Sequence, residues 1–231
     1  MSCLNNISYG TGEPREPEPT VVPAELILPS NVPESTIEDV KNIFPVDYRT
    51  VSEDLAHIPG FYRQRIENFR KISNDTIDRF YKYAAYFAKV FESHQVPIAI
   101  IALSIVESNV TTGATSHVGA AGIWQFMPAT ARDMGLKISG GVDERRDVAK
   151  STDAAARLLK QFKKVRGVNT SWLLTISSYN YGPGNVQKRY DPNKSVWEII
   201  ESFGSEEARN YVAGWVSTCI QLGLISGIGY V

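Results

Sequence analysis

The sequence predicts an all-α fold. From Asn74 onward, apolar residues recur at three- and four-residue spacing. No stretch shows strand alternation of useful length, and no internal repeat is visible. Residues of helix-capping type precede several of the periodic segments.

Residues 10–34 carry Pro14, Pro17, Pro19, Pro23, Pro29 and Pro33 among acidic side chains. Proline fixes φ and donates no hydrogen bond, so residues 1–34 are expected to form an extended or disordered tether. Ser35 and Glu38 have capping-box spacing, and Ile37, Val40, Ile43 and Phe44 share a helical face. They open a helical lead-in over residues 35–74, in which Gly60 and the polar stretch 63–70 fix no element. A catalytic domain is expected over residues 75–231.

In that domain Ile77, Phe80, Tyr81, Ala84, Phe87, Ala88 and Phe91 form one apolar stripe. Pro97 suits the first turn of the next helix. Residues 98–106 are apolar on every side except Ser104, which predicts a buried helix. A loop with Gly113, Gly119 and Gly122 follows. Pro128 opens a short helix ending at Gly135. Ser151 or Thr152 is expected to cap a helix carrying Ala155, Leu158, Leu159 and Phe162. Ser171 is expected to cap residues 172–178, and Gly182, Pro183 and Gly184 read as a turn. Ser195 and Glu198 have capping-box spacing. The last helix carries Ala208, Tyr211, Val212, Trp215, Cys219 and Leu222.

Composition narrows the function classes. The chain has 231 residues, 43% hydrophobic and 21% charged, with a formal net charge of -1. No strong basic field exists for nucleic acid or an anionic membrane surface. His57, His94 and His117 are far apart and show no metal-ligand spacing, so neither metal nor cofactor is expected. No apolar run is long enough to span a bilayer, and no signal segment is visible. Cys3 and Cys219 are not expected to be bridged. Cys3 is either the anchor cysteine left by lipoprotein processing or an incidental tail residue.

Glu107 is the anomaly. It follows a nearly all-apolar run and precedes Ser108 and Asn109. Burial disfavours an ionised carboxylate, and the C-terminal end of a helix dipole acts in the same direction. Such a group can hold a proton near neutral pH and deliver it to a leaving oxygen. The plain alternative is a helix-end glutamate in water.

Three segments bear on that choice. They are Glu107-Ser108; Gly119-Ala120-Ala121-Gly122-Ile123-Trp124-Gln125-Phe126-Met127-Pro128; and Ser178-Tyr179-Asn180-Tyr181-Gly182-Pro183-Gly184-Asn185-Val186. Their order resembles the lysozyme-like (SLT-type) lytic transglycosylases, with a Glu-Ser pair, a Gly-x-x-Gln-x-x-Pro loop and an Ala-Tyr-Asn-Ala-Gly segment. Asp143-Glu144-Arg145-Arg146-Asp147, Ser151-Thr152 and Glu207-Ala208-Arg209-Asn210-Tyr211-Val212 look like the membrane-bound transglycosylase D subgroup. The resemblance covers roughly residues 80 to 220. Ser178 and Tyr181 depart from the family's alanines, and Tyr181 is bulky enough to reshape the substrate groove.

The resemblance implies a lysozyme-like helical fold acting on peptidoglycan glycan strands in the bacterial envelope, as a monomer. It implies non-hydrolytic cleavage to 1,6-anhydro ends, with Glu107 as acid and then base. Tyr179 is implied as its catalytic partner through a hydroxyl that reaches the glutamate. Ser108, Ser116, Gln125, Met127 and Asn180 are implied substrate contacts. Ser108 fits equally an acetamido contact or a fixed turn, and Met127 a sugar contact or core filler. Gln125 offers the donor and acceptor that acetamido recognition needs. Asp133, Asp143, Glu144 and Asp147 are candidate second carboxylates, but Asp143 to Asp147 reads better as a salt-bridged loop. Hydrolysis by water, a non-cutting glycan scaffold, and action on chitin are the rival readings.

Overall fold

A computed structural model describes residues 54–225. The proline-rich stretch, the expected helix after Ser35, and Cys3 lie outside the described residues. The element order is α1 (Gly60–Glu67), α2 (Asn74–Ser93), a 3-10 turn (Ile98–Ala102), α3 (Leu103–Ser108) and α4 (Pro128–Asp133). A two-stranded hairpin follows, β1 (Ile138–Ser139) with β2 (Val142–Asp143), then the 3-10 turn Glu144–Arg146 and α5 (Val148–Phe162). The 3-10 turn Val168–Thr170, α6 (Trp172–Tyr181), α7 (Pro183–Arg189), α8 (Val196–Glu201) and α9 (Glu206–Gln221) complete it.

Helix α6 is the axis of the core. Every residue from Trp172 to Asn180 is buried, with α5, α7, α8 and α9 packed around it. Ser171 caps it by accepting from the Leu173 N–H. The α2 stripe forms as the periodicity predicts, with Phe80, Ala84, Phe87, Ala88 and Phe91 buried. Ser195 and Glu198 form the reciprocal capping box of α8. Trp124, Trp172, Trp197 and Trp215 are all buried.

Three expectations are corrected. Residues 98–106 are not one α-helix: the segment begins as a five-residue 3-10 turn and becomes α-helical at Leu103. With apolar side chains all round, no solvent stripe fixes the winding, and packing against α2 and α9 sets it. Helix α5 is capped by Asp147, not Ser151 or Thr152. Those two lie inside the helix and return their hydroxyls to the carbonyls of Asp147 and Val148. Two short strands exist where none was expected; they are too short to alternate, and Gly140 and Gly141, both at positive φ, make their turn. Helix α1 lies within the expected helical lead-in, at a stretch where the pattern alone fixes no element: Tyr62 and Ile66, one turn apart, bury against neighbouring helices.

Among the described residues no helix is long and apolar enough to cross a membrane. Cys219 is a buried thiol against the Ala99 carbonyl.

Candidate active site

Glu107 stands on the last turn of α3. That helix ends in two successive left-handed residues, Asn109 (φ 52°) and Val110 (φ 57°). Positive φ is strained for a β-branched residue. Here it is held by the Val110 N–H on the Ser104 carbonyl and by Arg79 on the Asn109 carbonyl, both at 3.0 Å. The sharp stop lets the chain leave α3 and return as the loop over residues 110–127.

Burial pushes the Glu107 carboxyl up to about 7. A hydrogen bond from Tyr211 pulls the other way, and the charge of Glu207 adds to the rise. The Tyr211 hydroxyl lies 2.5 Å from Glu107 Oε1. Burial and the Glu107 charge hold that phenol well above its ordinary range, so it stays a donor.

Tyr179 behaves differently from the expectation. Its hydroxyl donates to the Trp124 carbonyl at 2.9 Å, and the direct bond to Glu107 belongs to Tyr211. Tyr179 is nonetheless close enough that the Glu107 charge raises its pKa, after burial as the larger cause. The physical reason is the approach of the two helices: α9 delivers its hydroxyl to the carboxyl, whereas α6 delivers its hydroxyl to the loop beneath.

The loop is stitched in place from three sides. Ser108 Oγ donates to the Ile123 carbonyl at 2.8 Å and accepts from the Thr111 N–H at 3.1 Å, which is the turn-fixing alternative. The Trp124 indole donates to Thr152 Oγ1 at 3.0 Å. Arg145 grips Asp143 with a two-pronged fork, both contacts at 2.8 Å, and donates to the Gly119 carbonyl (2.7 Å) and the Phe126 carbonyl (3.0 Å). Arg146 reaches Thr115 Oγ1 at 2.7 Å. The Asp143–Arg146 run is therefore an ion-paired brace, and the Arg145 fork holds the Asp143 carboxyl below its usual range. Gly122, at φ 79°, is a required glycine: a Cβ there would lie 1.9 Å from the Arg145 carbonyl oxygen.

The other predicted site residues are placed as follows. Gln125 is buried at φ 47°, its amide nitrogen donating to the Gly122 carbonyl at 2.8 Å. Ser116 Oγ accepts from the Ala120 N–H and closes the loop tip. Met127 is half-buried at the start of α4. Asn180 is buried and donates to Glu207 Oε1 at 3.3 Å. Tyr181 stacks on Phe203, with ring centroids 4.6 Å apart, and accepts from the Gly204 N–H.

Tyr211 and Glu207 were not singled out from sequence as site residues. A signal existed: Tyr211 sits on the apolar stripe of the last helix, and a buried phenol needs a partner. Among the described residues no cluster of three or more His, Cys, Asp or Glu stands ready to hold a metal.

Residues 87–200 match the family model of the transglycosylase SLT domain. Over 153 residues the chain is 36% identical to the membrane-bound lytic murein transglycosylase D of Escherichia coli K12, covering 65% of this chain and 33% of that protein. It is 33% identical over 104 residues to a putative tributyltin chloride resistance protein of Alteromonas sp. strain M-1, covering 45% of this chain and 49% of the relative. The chain thus spans only about a third to a half of the length of these relatives. Among solved structures, an inactive mutant of the lytic transglycosylase Slt of Pseudomonas aeruginosa matches with a TM-score of 0.51 and 24% identity, over 60% of this chain and 23% of that one. That likeness concerns the helical fold. The chain carries, over residues 87–200, a domain of the transglycosylase SLT family.

Proposed function

We propose that this chain is a lytic transglycosylase that cleaves the β-1,4 bond between N-acetylmuramic acid and N-acetylglucosamine in peptidoglycan. The observation that carries this reading is the Glu107 carboxyl at the end of α3, held by the Tyr211 hydroxyl at 2.5 Å and pushed up to about 7 by burial, so that it can both give and take a proton near neutral pH. A protonated Glu107 donates to the glycosidic oxygen, and the bond from that oxygen to the muramoyl C1 breaks. The substrate's own acetamido oxygen bonds to C1 and carries the positive charge. Glu107, now ionised, takes the proton from the C6 hydroxyl. O6 then bonds to C1 as the acetamido oxygen leaves, which gives the 1,6-anhydro end and restores the acid. Because the substrate supplies the nucleophile, a second carboxylate is not required.

Gln125, Asn180 and Met127 are proposed to line the glycan groove. Ser108 and Ser116 serve it by shaping the loop, and Tyr179 by holding the Trp124 carbonyl. The site of action is the cell envelope, with residues 1–34 as tether and Cys3 as a lipid anchor. Fatty-acid labelling of the chain and of Cys3→Ser tests the anchor.

One observation favours hydrolysis instead. The charge of Glu207 acts on Glu107, so a second carboxylate does stand near the site. Water-based hydrolysis would use such a pair. Dye release from labelled sacculi tests the shared catalytic claim: wild type releases dye, and Glu107→Gln binds sacculi but releases none. Equal release by both proteins would defeat both readings.

A further inference from the structure

Neither residues 54–72 nor α9 falls inside the SLT match, yet α9 carries Tyr211. The two segments run side by side in the same direction. The Tyr62 hydroxyl donates to the Arg209 carbonyl, and its ring packs on Trp197 with centroids 4.8 Å apart. Arg65 donates to Asn210 Oδ1 at 2.7 Å and pairs with Glu201 at 3.2 Å. The Phe69 ring presses on Gly214 so closely that a Cβ there would lie 2.5 Å from it. The Ile72 N–H donates to Gln221 Oε1 at 2.8 Å, and the Gln221 amide returns a bond to the Arg70 carbonyl at 3.3 Å. Contacts thus advance together, from Tyr62, Arg65, Phe69 and Ile72 on one side to Arg209, Asn210, Gly214 and Gln221 on the other.

Tyr211 falls inside the gripped stretch, one residue after Asn210 and three before Gly214. A short O–H···O contact weakens steeply with displacement and misalignment. Where a helix has glycine at its contact, the neighbouring ring bears on backbone and no side chain can flex to absorb a shift. We infer that the 54–72 segment is a strap that sets the position of α9, with Phe69 and Arg65 as positioning residues that hold the Tyr211 hydroxyl on Glu107. The 54–72 segment, which lies outside the SLT match, thereby has a task within the proposed site. This rests on the proposed function only for the effect on turnover.

The test uses the full chain and begins without substrate. Carboxyl carbon NMR follows the titration of Glu107 in wild type, Phe69→Ala, Phe69→Leu, Tyr211→Phe and the Phe69→Ala/Tyr211→Phe double variant. Losing a donor to the ionised carboxylate raises its midpoint, by about one pH unit for Tyr211→Phe. Phe69→Ala is expected to move the midpoint the same way, the double variant no further than Tyr211→Phe alone, and Phe69→Leu to restore it. On sacculi, kcat falls roughly tenfold in Phe69→Ala while KM changes by less than about twofold. If Phe69→Ala does not fold, the same comparison with Arg65→Ala decides, since that side chain is partly exposed. A folded strap variant with an unmoved midpoint, or additive shifts in the double variant, overturns the inference. If the midpoints move as described but no variant, wild type included, releases glycan, the proposed function fails and the strap stands.

Discussion

The Tyr211 hydroxyl donates to the Glu107 carboxyl at 2.5 Å across a sequence separation of 104 residues. Tyr179, the tyrosine of the motif segment, donates instead to the Trp124 carbonyl. The two phenols therefore have separable jobs. Tyr211→Phe is expected to shift the alkaline limb of the pH–rate profile upward and to lower kcat, because the ionised carboxylate loses its donor. Tyr179→Phe leaves that bond and strands a buried carbonyl, costing about 1–3 kcal/mol of stability. Profiles and denaturation curves of the two variants, measured together, separate these effects.

Glu107 also makes stability depend on pH. Its folded pKa, about 7, lies above the ordinary 4.5, so between those values the folded state binds more protons than the unfolded one. Stability is then fully present below 4.5 and falls as pH rises toward 7, by at most on the order of 3 kcal/mol. Glu107→Gln removes the ionisable group and keeps an oxygen for Tyr211. It is expected to melt above wild type at pH 8, with the difference vanishing below pH 4.5. Melting temperatures at the two pH values check this.

The brace under the loop gives a third prediction. Arg145→Ala removes the two-pronged grip on Asp143, which keeps the Arg146 contact at 3.5 Å, and takes the donor from the Gly119 carbonyl, while the Phe126 carbonyl keeps the Ala121 N–H; it is expected to cost about 1–3 kcal/mol. Arg145→Lys should recover little, since an ammonium cannot reproduce the fork. Gly122→Ala collides with the Arg145 carbonyl at a positive φ and should also abolish activity. Urea denaturation and sacculus digestion report the two consequences.

Glu207 separates acid tuning from a second catalytic carboxylate. It is exposed, held by Asn180, and its charge raises the Glu107 pKa. Glu207→Gln is expected to move the alkaline limb downward while turnover persists. Loss of turnover at every pH would indicate that Glu207 acts on water or substrate directly.

Much of this was legible where one local pattern stood alone. The α2 stripe is amphipathic, and the Ser195–Glu198 cap is a reciprocal local pair; both form as predicted. Asp147 was passed over as the α5 cap because three cap-type residues crowd six positions, and a distant indole, Trp124, helps decide that Thr152 is interior. Glu107 stood out because a carboxylate ends an apolar run. Its phenol partner did not, because Tyr179 and Tyr211 both lie on buried helix faces, and only the approach of α9 to the end of α3 distinguishes them. Helix α1 was unreadable for the same reason: Tyr62 and Ile66 acquire meaning only against α9 and Trp197.

Mass spectrometry of purified sacculi digested by wild type and by Glu107→Gln decides whether Glu107 drives non-hydrolytic cleavage. Wild type is expected to release muropeptides ending in 1,6-anhydro-N-acetylmuramic acid, and the variant none. Wild-type products that end in ordinary reducing sugars, carrying the mass of one added water, would rule out the transglycosylase reaction.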